Sequence, residues 1–166
     1  MTAVPVLTPA FDEGIATSAL ALARPSIELA MRGGTAKRSD LFITISRLEK
    51  LGEFTHLACD SYGDRSEWEY PYENIAGAKH DMTVRTGLSS REVQLLHPEL
   101  IRELDSYYWG SVIFGNIVVA ASGVQAWFDE AFATMTAGFC RALCQSKLDA
   151  IQQMAPNANC FHLPRS

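Results

Sequence analysis

The sequence predicts an α+β fold: an antiparallel sheet built from two hairpins, flanked by helices and followed by a long C-terminal helix. Two pairs of apolar, β-branched or aromatic stretches are each joined by a short turn that contains glycine, a pattern typical of β-hairpins. Stretches with helical apolar periodicity precede, separate and follow these pairs. Because the two strands of a hairpin run antiparallel, the pattern excludes an all-parallel sheet.

The length and composition predict one globular domain. The chain has 166 residues, of which 48% are hydrophobic and 20% charged, and these values are ordinary for a domain with its own core. We expect residues 1–166 to form this single domain, with a folded core at about 12–154, an N-terminal arm at 1–11 and a C-terminal tail at 155–166.

Charge and hydropathy limit the partners and the compartment. The net charge of −5 argues against binding to the phosphate backbone of nucleic acids. The longest apolar run, residues 112–124, is broken by Gly115 and Gly123 and is shorter than the roughly 18 residues of a membrane span. The first residues lack the basic and apolar regions of a signal peptide. We therefore expect a cytoplasmic protein with reduced cysteines and no nucleic-acid or membrane partner.

The first half of the chain predicts a helix and a hairpin. Apolar spacing indicates a helix over residues 12–32, in which Pro25 predicts either a kink or two consecutive helices. Strands follow at residues 41–48 and 54–60, joined by a glycine turn. Residues 62–72 are polar and aromatic without a period, which predicts a loop.

The second half predicts three further helices and another hairpin. A helix at 72–86 ends at a glycine, and Ser89 with Glu92 forms a capping box that opens a short helix. The second hairpin has strands at 107–112 and 116–121. The last helix spans 126–154, and its predicted buried face consists of Phe128, Ala131, Met135, Ala142 and Leu143.

Two segments together resemble a known family. Residues 74–92 carry an alanine-lysine-threonine pattern followed by serine and an acidic residue, in Ala76, Lys79, Thr83, Ser89, Ser90 and Glu92. Residues 115–131 carry a glycine-containing strand and turn before an acidic helix start, in Gly115, Gly123, Val124, Asp129 and Glu130. In this order, over about residues 15–153, they resemble the GlcG/HbpS family of haem-degrading, DUF336-type proteins.

The resemblance implies the same fold, a homo-oligomer, and haem or a related tetrapyrrole as a ligand. This chain departs from the family pattern at Ala58, where an arginine is usual, and at Ala121, where a glycine is usual. Its aromatic loop at 62–72 has no family counterpart. These departures identify a divergent member and predict a changed small-molecule ligand, because a fold is retained more readily than a site.

Three residues are candidate catalytic groups. His80, which neighbours Asp81, is a candidate general base, and the alternative is a hydrogen-bonded structural histidine. Asp129 and Glu130 open the last helix, so they either form an acid/base pair or complement the helix dipole. Lys79 is a candidate ligand-binding residue that otherwise reaches a carboxylate or the solvent.

The remaining candidate ligand-binding residues lie in loops and on a strand. Gly123 and Gln125 precede the last helix, where backbone N–H groups can meet an anion or glycine can simply allow a tight turn. Arg65 and Trp68 in the aromatic loop, which also holds Tyr70 and Tyr72, predict either a pocket wall or a subunit interface. His56 is a candidate haem ligand.

These candidates predict a cofactor-independent enzyme that acts on a small organic or biosynthetic intermediate by acid/base chemistry, of the isomerase, cyclase or hydrolase type. A haem or tetrapyrrole binding protein is the alternative, and a non-catalytic oligomeric interaction protein is the second. No metal is expected, because the cysteine and histidine spacing matches no compact zinc module, although zinc ligation is chemically possible for Cys140, Cys144, Cys160 and His162.

Overall fold

The computed structural model describes residues 10–154. The longer elements are α1 (Glu13–Arg32), β1 (Leu41–Lys50), β2 (Glu53–Tyr62), α2 (Tyr72–Thr86), α3 (Ser90–Leu96), β3 (Ser111–Phe114), β4 (Ile117–Ser122) and α4 (Ala126–Gln153). Short 3₁₀ turns lie at Arg65–Glu67 and Pro98–Leu100. The predicted arm and tail fall almost wholly outside the described residues.

The four strands form one antiparallel sheet in the order β2-β1-β4-β3. Each hairpin supplies two neighbouring strands, and β1 joins the hairpins by pairing with β4. The α+β class, the two hairpins and the long C-terminal helix predicted from the sequence are therefore confirmed. In the described part of the chain, no helix is both long enough and apolar enough to cross a membrane.

The sheet is covered on both faces. Side chains alternate between the faces of a strand, so Ile43 and Ile45 of β1 join the main core with α1 and α4, whereas Phe42 packs with Tyr72 and Ala76 of α2. All six residues of β4 are buried. Because helices cover both faces of the sheet, the sequences of β1 and β4 are nearly continuous apolar runs.

Of the two alternatives predicted at Pro25, a kink or two consecutive helices, the structure excludes the second, because Pro25 lies inside one helix of 20 residues. Proline removes one backbone N–H and weakens the local hydrogen bonding. The small side chains of Ala19 and Ala23 and the side chain of Ile27 are fully buried in the core. This burial holds the helix together across the proline, so tertiary packing overrides the local preference.

The second hairpin begins later than predicted, at Ser111 instead of residue 107. Tyr107 and Tyr108 are 89% and 62% exposed and pair with no strand. The segment before β3 is held by Arg85, which donates hydrogen bonds to the Leu100 carbonyl and to the Asp105 carboxylate. Aromatic residues suit strands in general, but here no neighbouring strand is available to them.

The buried face of α4 also differs from the predicted one. Ala131 and Ala142 are exposed, and Phe128, Met135 and Leu143 are only partly buried. The helix buries a neighbouring stripe instead: Asp129, Phe132, Ala133, Thr136, Ala137 and Cys140. One residue corresponds to about 100° of rotation, so a shift of one position moves the alanines to the solvent side.

Candidate functional site

A cleft of about 410 Å³ lies between the α1–β1 loop, the aromatic loop before α2 and the β4–α4 connection. This size is within the range of about 300–1,000 Å³ that is usual for small-molecule sites. The residues that line it are Lys37, Arg38, Tyr70, Tyr72, Ile75, Lys79, Tyr108, Ser122, Gly123, Val124, Gln125, Ala126 and Asp129.

The N-terminus of α4 opens into this cleft without a side-chain cap. Gln125 is the N-cap residue, but its side chain accepts a hydrogen bond from the Lys37 backbone N–H at 3.0 Å and does not cap the helix. The N–H groups of Phe128 and Asp129 bond to the Gln125 carbonyl. Among residues 10–154 those of Ala126 and Trp127 have no acceptor, so the first turn of this 28-residue helix keeps two free N–H groups.

Two cations stand beside this helix end. Lys37 is exposed and forms no ion pair with any residue of the described range. Arg38 lies over the Tyr70 ring, 5.3 Å from its centroid, and its charge is partly offset by Glu69 at 3.5 Å. The charged residues that line the cleft are therefore mostly cationic, in a chain of net charge −5.

Tyrosines form the walls. The Tyr70 and Tyr72 rings are 6.2 Å apart, and the Trp68 ring supports Tyr72 edge-to-face at 5.4 Å. Tyr108 lines the cleft from the segment before β3. Burial raises the pKa of Tyr72, so its hydroxyl remains protonated at neutral pH and is available as a hydrogen-bond donor.

The floor is a buried ion pair that joins α2 to α4. Lys79 is fully buried and Asp129 is 2% exposed. The lysine Nζ donates to Asp129 Oδ2 at 2.8 Å and to the Ala121 carbonyl at 2.9 Å, and Asp129 Oδ1 accepts from the Val124 N–H at 3.1 Å. Burial lowers the pKa of Lys79 and raises the pKa of Asp129, while each opposes the shift of the other.

Gly123 has a structural role at the bend into α4. Its φ of +155° lies in a region that side chains disfavour, and a Cβ there would collide with the Asp40 carbonyl and the Leu41 backbone. Gly110 is similarly constrained, because a Cβ there would lie 2.7 Å from the Lys79 Nζ. Both glycines permit close backbone contacts that shape the cleft.

The two central histidines lie away from the cleft. His80 is 4% exposed and packs edge-on against the Phe54 ring, with ring centroids 4.5 Å apart. Its Nδ1 is 3.3 Å from the Asp81 carboxylate, and its Nε2 has no partner among the described residues. Burial lowers the pKa of His80. His56 is exposed on β2, and neither histidine lines the cleft.

The other predicted site residues also lie outside it. Glu130 accepts a hydrogen bond from Arg91 at 2.9 Å. Arg65 pairs with Glu73 and lies over the Trp68 ring. None of these side chains, including Trp68, lines the cleft. Of the residues predicted for the site, those that border the cleft are Lys79, Asp129, Gly123 and Gln125.

The sequence prediction missed the cationic side of the cleft. Lys37 and Arg38 form an adjacent basic pair after a double glycine, which is the only local signal that they carry. Nothing in the sequence pattern shows that this loop meets the start of α4. Tyr108 was missed for a related reason, since it was assigned to a strand.

The described range contains no group of three or more side chains that could hold a metal ion. Cys140 is buried and Cys144 is half-buried on the same helix, and burial raises the pKa of Cys140 to about 12. Both therefore remain neutral thiols at ordinary pH. Cys160 and His162 lie outside the described residues.

Comparison with known proteins gives structural relatives. No family model and no curated protein matches the sequence. The Klebsiella pneumoniae protein ORFY, a DUF336 protein, superposes with a TM-score of 0.54 at 15% identity, over 86% of this chain and 97% of that one. The Ybr137w protein superposes with a TM-score of 0.51 at 15% identity, over 77% and 79% of the two chains. The resemblance predicted from the sequence is thus confirmed at the level of the fold: this chain adopts a DUF336-type fold.

Proposed function

We propose that the chain binds a small organic acid with a flat, apolar body in this cleft. The observation that carries the proposal is the uncapped N-terminus of α4, which opens beside Lys37 and Arg38. A carboxylate at this point would accept hydrogen bonds from the free N–H groups of Ala126 and Trp127 and would meet the positive end of the helix dipole.

The rest of the cleft suits such a ligand. Tyr70 and Tyr108 present aromatic surface to a flat body. The one carboxylate in the floor, Asp129, is compensated by Lys79, so its repulsion of a bound anion is small. Glu69 pairs with Arg38 from the solvent side and is itself exposed. Of the charged residues that line the cleft, Lys37, Arg38 and Lys79 are cationic and Asp129 is anionic, while Asp40 and Glu69 act on Tyr72 from outside the lining.

Acid/base catalysis extends this proposal. Lys79 and Asp129 are the groups with shifted pKa that border the cleft as a pair, and they lie within hydrogen-bond distance of each other. Such pairs are typical of sites that transfer protons. An isomerase, cyclase or hydrolase reaction would thus depend on this pair, because His80 and Glu130 contact other parts of the molecule.

The positions of the histidines do not favour haem as the ligand of this cleft. The described histidines do not line it, so they offer no axial ligand to an iron held there. A protein with a purely structural or interaction role would bind no small anion in the cleft. A titration with carboxylates therefore separates the structural or interaction role from the proposed binding function.

The test is a titration of the protein with benzoate, 4-hydroxybenzoate and phenylpyruvate, with benzamide as the uncharged control. We expect the carboxylates to bind, and to shift the backbone amide signals of Ala126 and Trp127 in ¹⁵N-edited NMR spectra. Benzamide should bind at least tenfold more weakly, because about 1.4 kcal/mol of charge-assisted bonding is lost.

Two variants test the cationic side. Replacing Lys37 and Arg38 together by alanine should weaken carboxylate binding about tenfold or more, since two charges are lost. Lys50→Ala is the matched control, because Lys50 is exposed, pairs with Glu53 and lies outside the cleft. Absence of binding by all three carboxylates, or equal binding of benzamide, would contradict the proposal.

A further inference from the structure

Tyr72 carries a buried hydroxyl that the described part of the protein leaves without a partner. The residue is 3% exposed, and its Oη makes no hydrogen bond. A buried polar group without a partner costs about 1–3 kcal/mol. Such groups in native structures are few, and a bound molecule that completes the hydrogen bond is one explanation for them.

The position of Tyr72 distinguishes it from a second tyrosine of the same kind. Tyr62 is 4% exposed and its hydroxyl is also unpartnered, but it belongs to the main core and does not line the cleft. Tyr72 lines the cleft, and its hydroxyl is acted on by the positive charge of Arg38 and by the negative charges of Asp40 and Glu69. Tyr72 thus lines the same cleft as Arg38 and the residues at the start of α4, with its buried hydroxyl unused.

The Tyr72 ring is held firmly in place. It is the first residue of α2, its N–H donates to the Tyr70 carbonyl at 2.9 Å, and Trp68 packs on its ring. The Trp68 indole is itself fixed by a hydrogen bond from Nε1 to the Tyr62 carbonyl. A donor fixed in this way costs little further ordering when a ligand binds.

We propose that Tyr72 is a specificity-determining residue, whose hydroxyl donates a hydrogen bond to an oxygen of a bound aromatic carboxylate. This inference rests on the proposed function, because the ligand must first occupy the cleft. The carboxylate of the bound molecule then meets the N-terminus of α4 and the cations, and its aromatic body meets the tyrosine rings. The Tyr72 hydroxyl donates to a carboxylate oxygen. In the free protein the unpartnered hydroxyl carries a free-energy cost, and the bound ligand removes this cost by accepting its hydrogen bond.

The test compares Tyr72→Phe with Tyr62→Phe, a matched pair in which each change removes one buried, unpartnered hydroxyl. Unfolding in urea should show that neither variant is less stable than the native protein, because no hydrogen bond within the protein is lost. Titration with benzoate, 4-hydroxybenzoate and phenylpyruvate should show about tenfold weaker binding for Tyr72→Phe only, since a bond to a charged oxygen is lost.

The outcomes separate the two levels of the proposal. If the native protein binds none of the three carboxylates, the proposed function fails and this inference fails with it. If the native protein binds them and Tyr72→Phe binds equally well, only the role of Tyr72 is overturned. If Tyr72→Phe is clearly less stable than Tyr62→Phe in the absence of ligand, the hydroxyl has a structural partner and the inference is also overturned.

Discussion

At the scale of single residues, the chemistry of a side chain depends on its surroundings more than on its type. Lys79 and His80 are neighbours in sequence and both are buried, yet they face different sites. Lys79 reaches Asp129 and Ala121 at the cleft floor, whereas His80 packs against Phe54. The histidine is therefore better explained as a buried structural group, and the lysine as part of the site.

Gly123 gives the first prediction, which concerns stability. Gly123→Ala should destabilise the protein by about 3 kcal/mol or more, because the new Cβ meets backbone atoms at a positive φ. Gly138→Ala is the matched control: it lies in α4 with no atom near its Cβ position, so it should stabilise by about 0.5–1 kcal/mol. Urea unfolding measures both, and similar effects of the two changes would contradict this account.

At the scale of elements, the start of α4 combines a stability cost with the proposed binding site. A long helix usually begins with a side chain that caps its free N–H groups. Here Gln125 occupies that position and bonds to Lys37 instead. The helix gives up a cap that would stabilise it, and the cleft keeps an end that can hold an anion.

The second prediction is that a change at this helix end raises the stability of the protein and weakens carboxylate binding. Gln125→Asp should stabilise the protein by about 1 kcal/mol through a cap, which raises the melting temperature by about 2–4 °C in a chain of this size. The same change should weaken carboxylate binding, because the new side chain occupies and repels the anion position. Gln125→Ala is the control that removes the bond to Lys37 without a cap. A gain in stability with unchanged binding would place the ligand elsewhere.

The third prediction concerns the ion pair between α2 and α4. Lys79→Met alone should destabilise by about 3–5 kcal/mol, because it leaves the Asp129 carboxylate buried without its partner. The double variant Lys79→Met with Asp129→Asn should recover a large part of this loss, since no lone charge remains. Urea unfolding of the two single variants and the double variant tests this, and additive losses would show that the pair is not the relevant interaction.

At the scale of the whole molecule, the site exists because separate segments meet at one corner of the fold. Pairing of β1 with β4 brings the loop that precedes β1 next to the start of α4, which follows β4. Helix α2 packs on the same two strands and supplies Tyr72 and Lys79. The cleft therefore belongs to the tertiary arrangement and to no single motif.

The fourth prediction is a loss of stability in mild acid. Burial lowers the pKa of His80 in the folded protein, whereas in the unfolded chain the histidine keeps its ordinary pKa of about 6.5. Below about pH 6.5 the unfolded chain therefore binds a proton at His80 more readily than the folded protein does. Stability should be unaffected by His80 above this pH and should fall as the pH drops below it. Melting temperatures between pH 7.5 and 5 should show a shallower decline for His80→Gln than for the exposed control His97→Gln. Equal declines would contradict the prediction.

Much of the fold follows from local patterns. The glycine turn between β1 and β2, the capping box of Ser89 with Glu92, and the end of α2 at Gly87 all appear where the sequence predicts them. Packing decides between the alternatives predicted at Pro25, which lies within one helix, and it makes the strand predicted at Tyr107 wrong. For the site, Lys79 and Asp129 could be identified by residue type, but Lys37 and Arg38 could not, because their role depends on a contact across 88 positions.

Periodicity, turn residues and side-chain types suffice to predict the α+β class, the two hairpins and the long last helix, and they identify Lys79 and Asp129 as candidate site residues. The tertiary structure is needed to show that these two residues pair at the floor of a cleft, that His80 and Glu130 lie outside it, and that Tyr72 lines it with an unused hydroxyl. The physical reason is that burial, pairing and pKa depend on which distant segments pack together, and no local pattern specifies this packing.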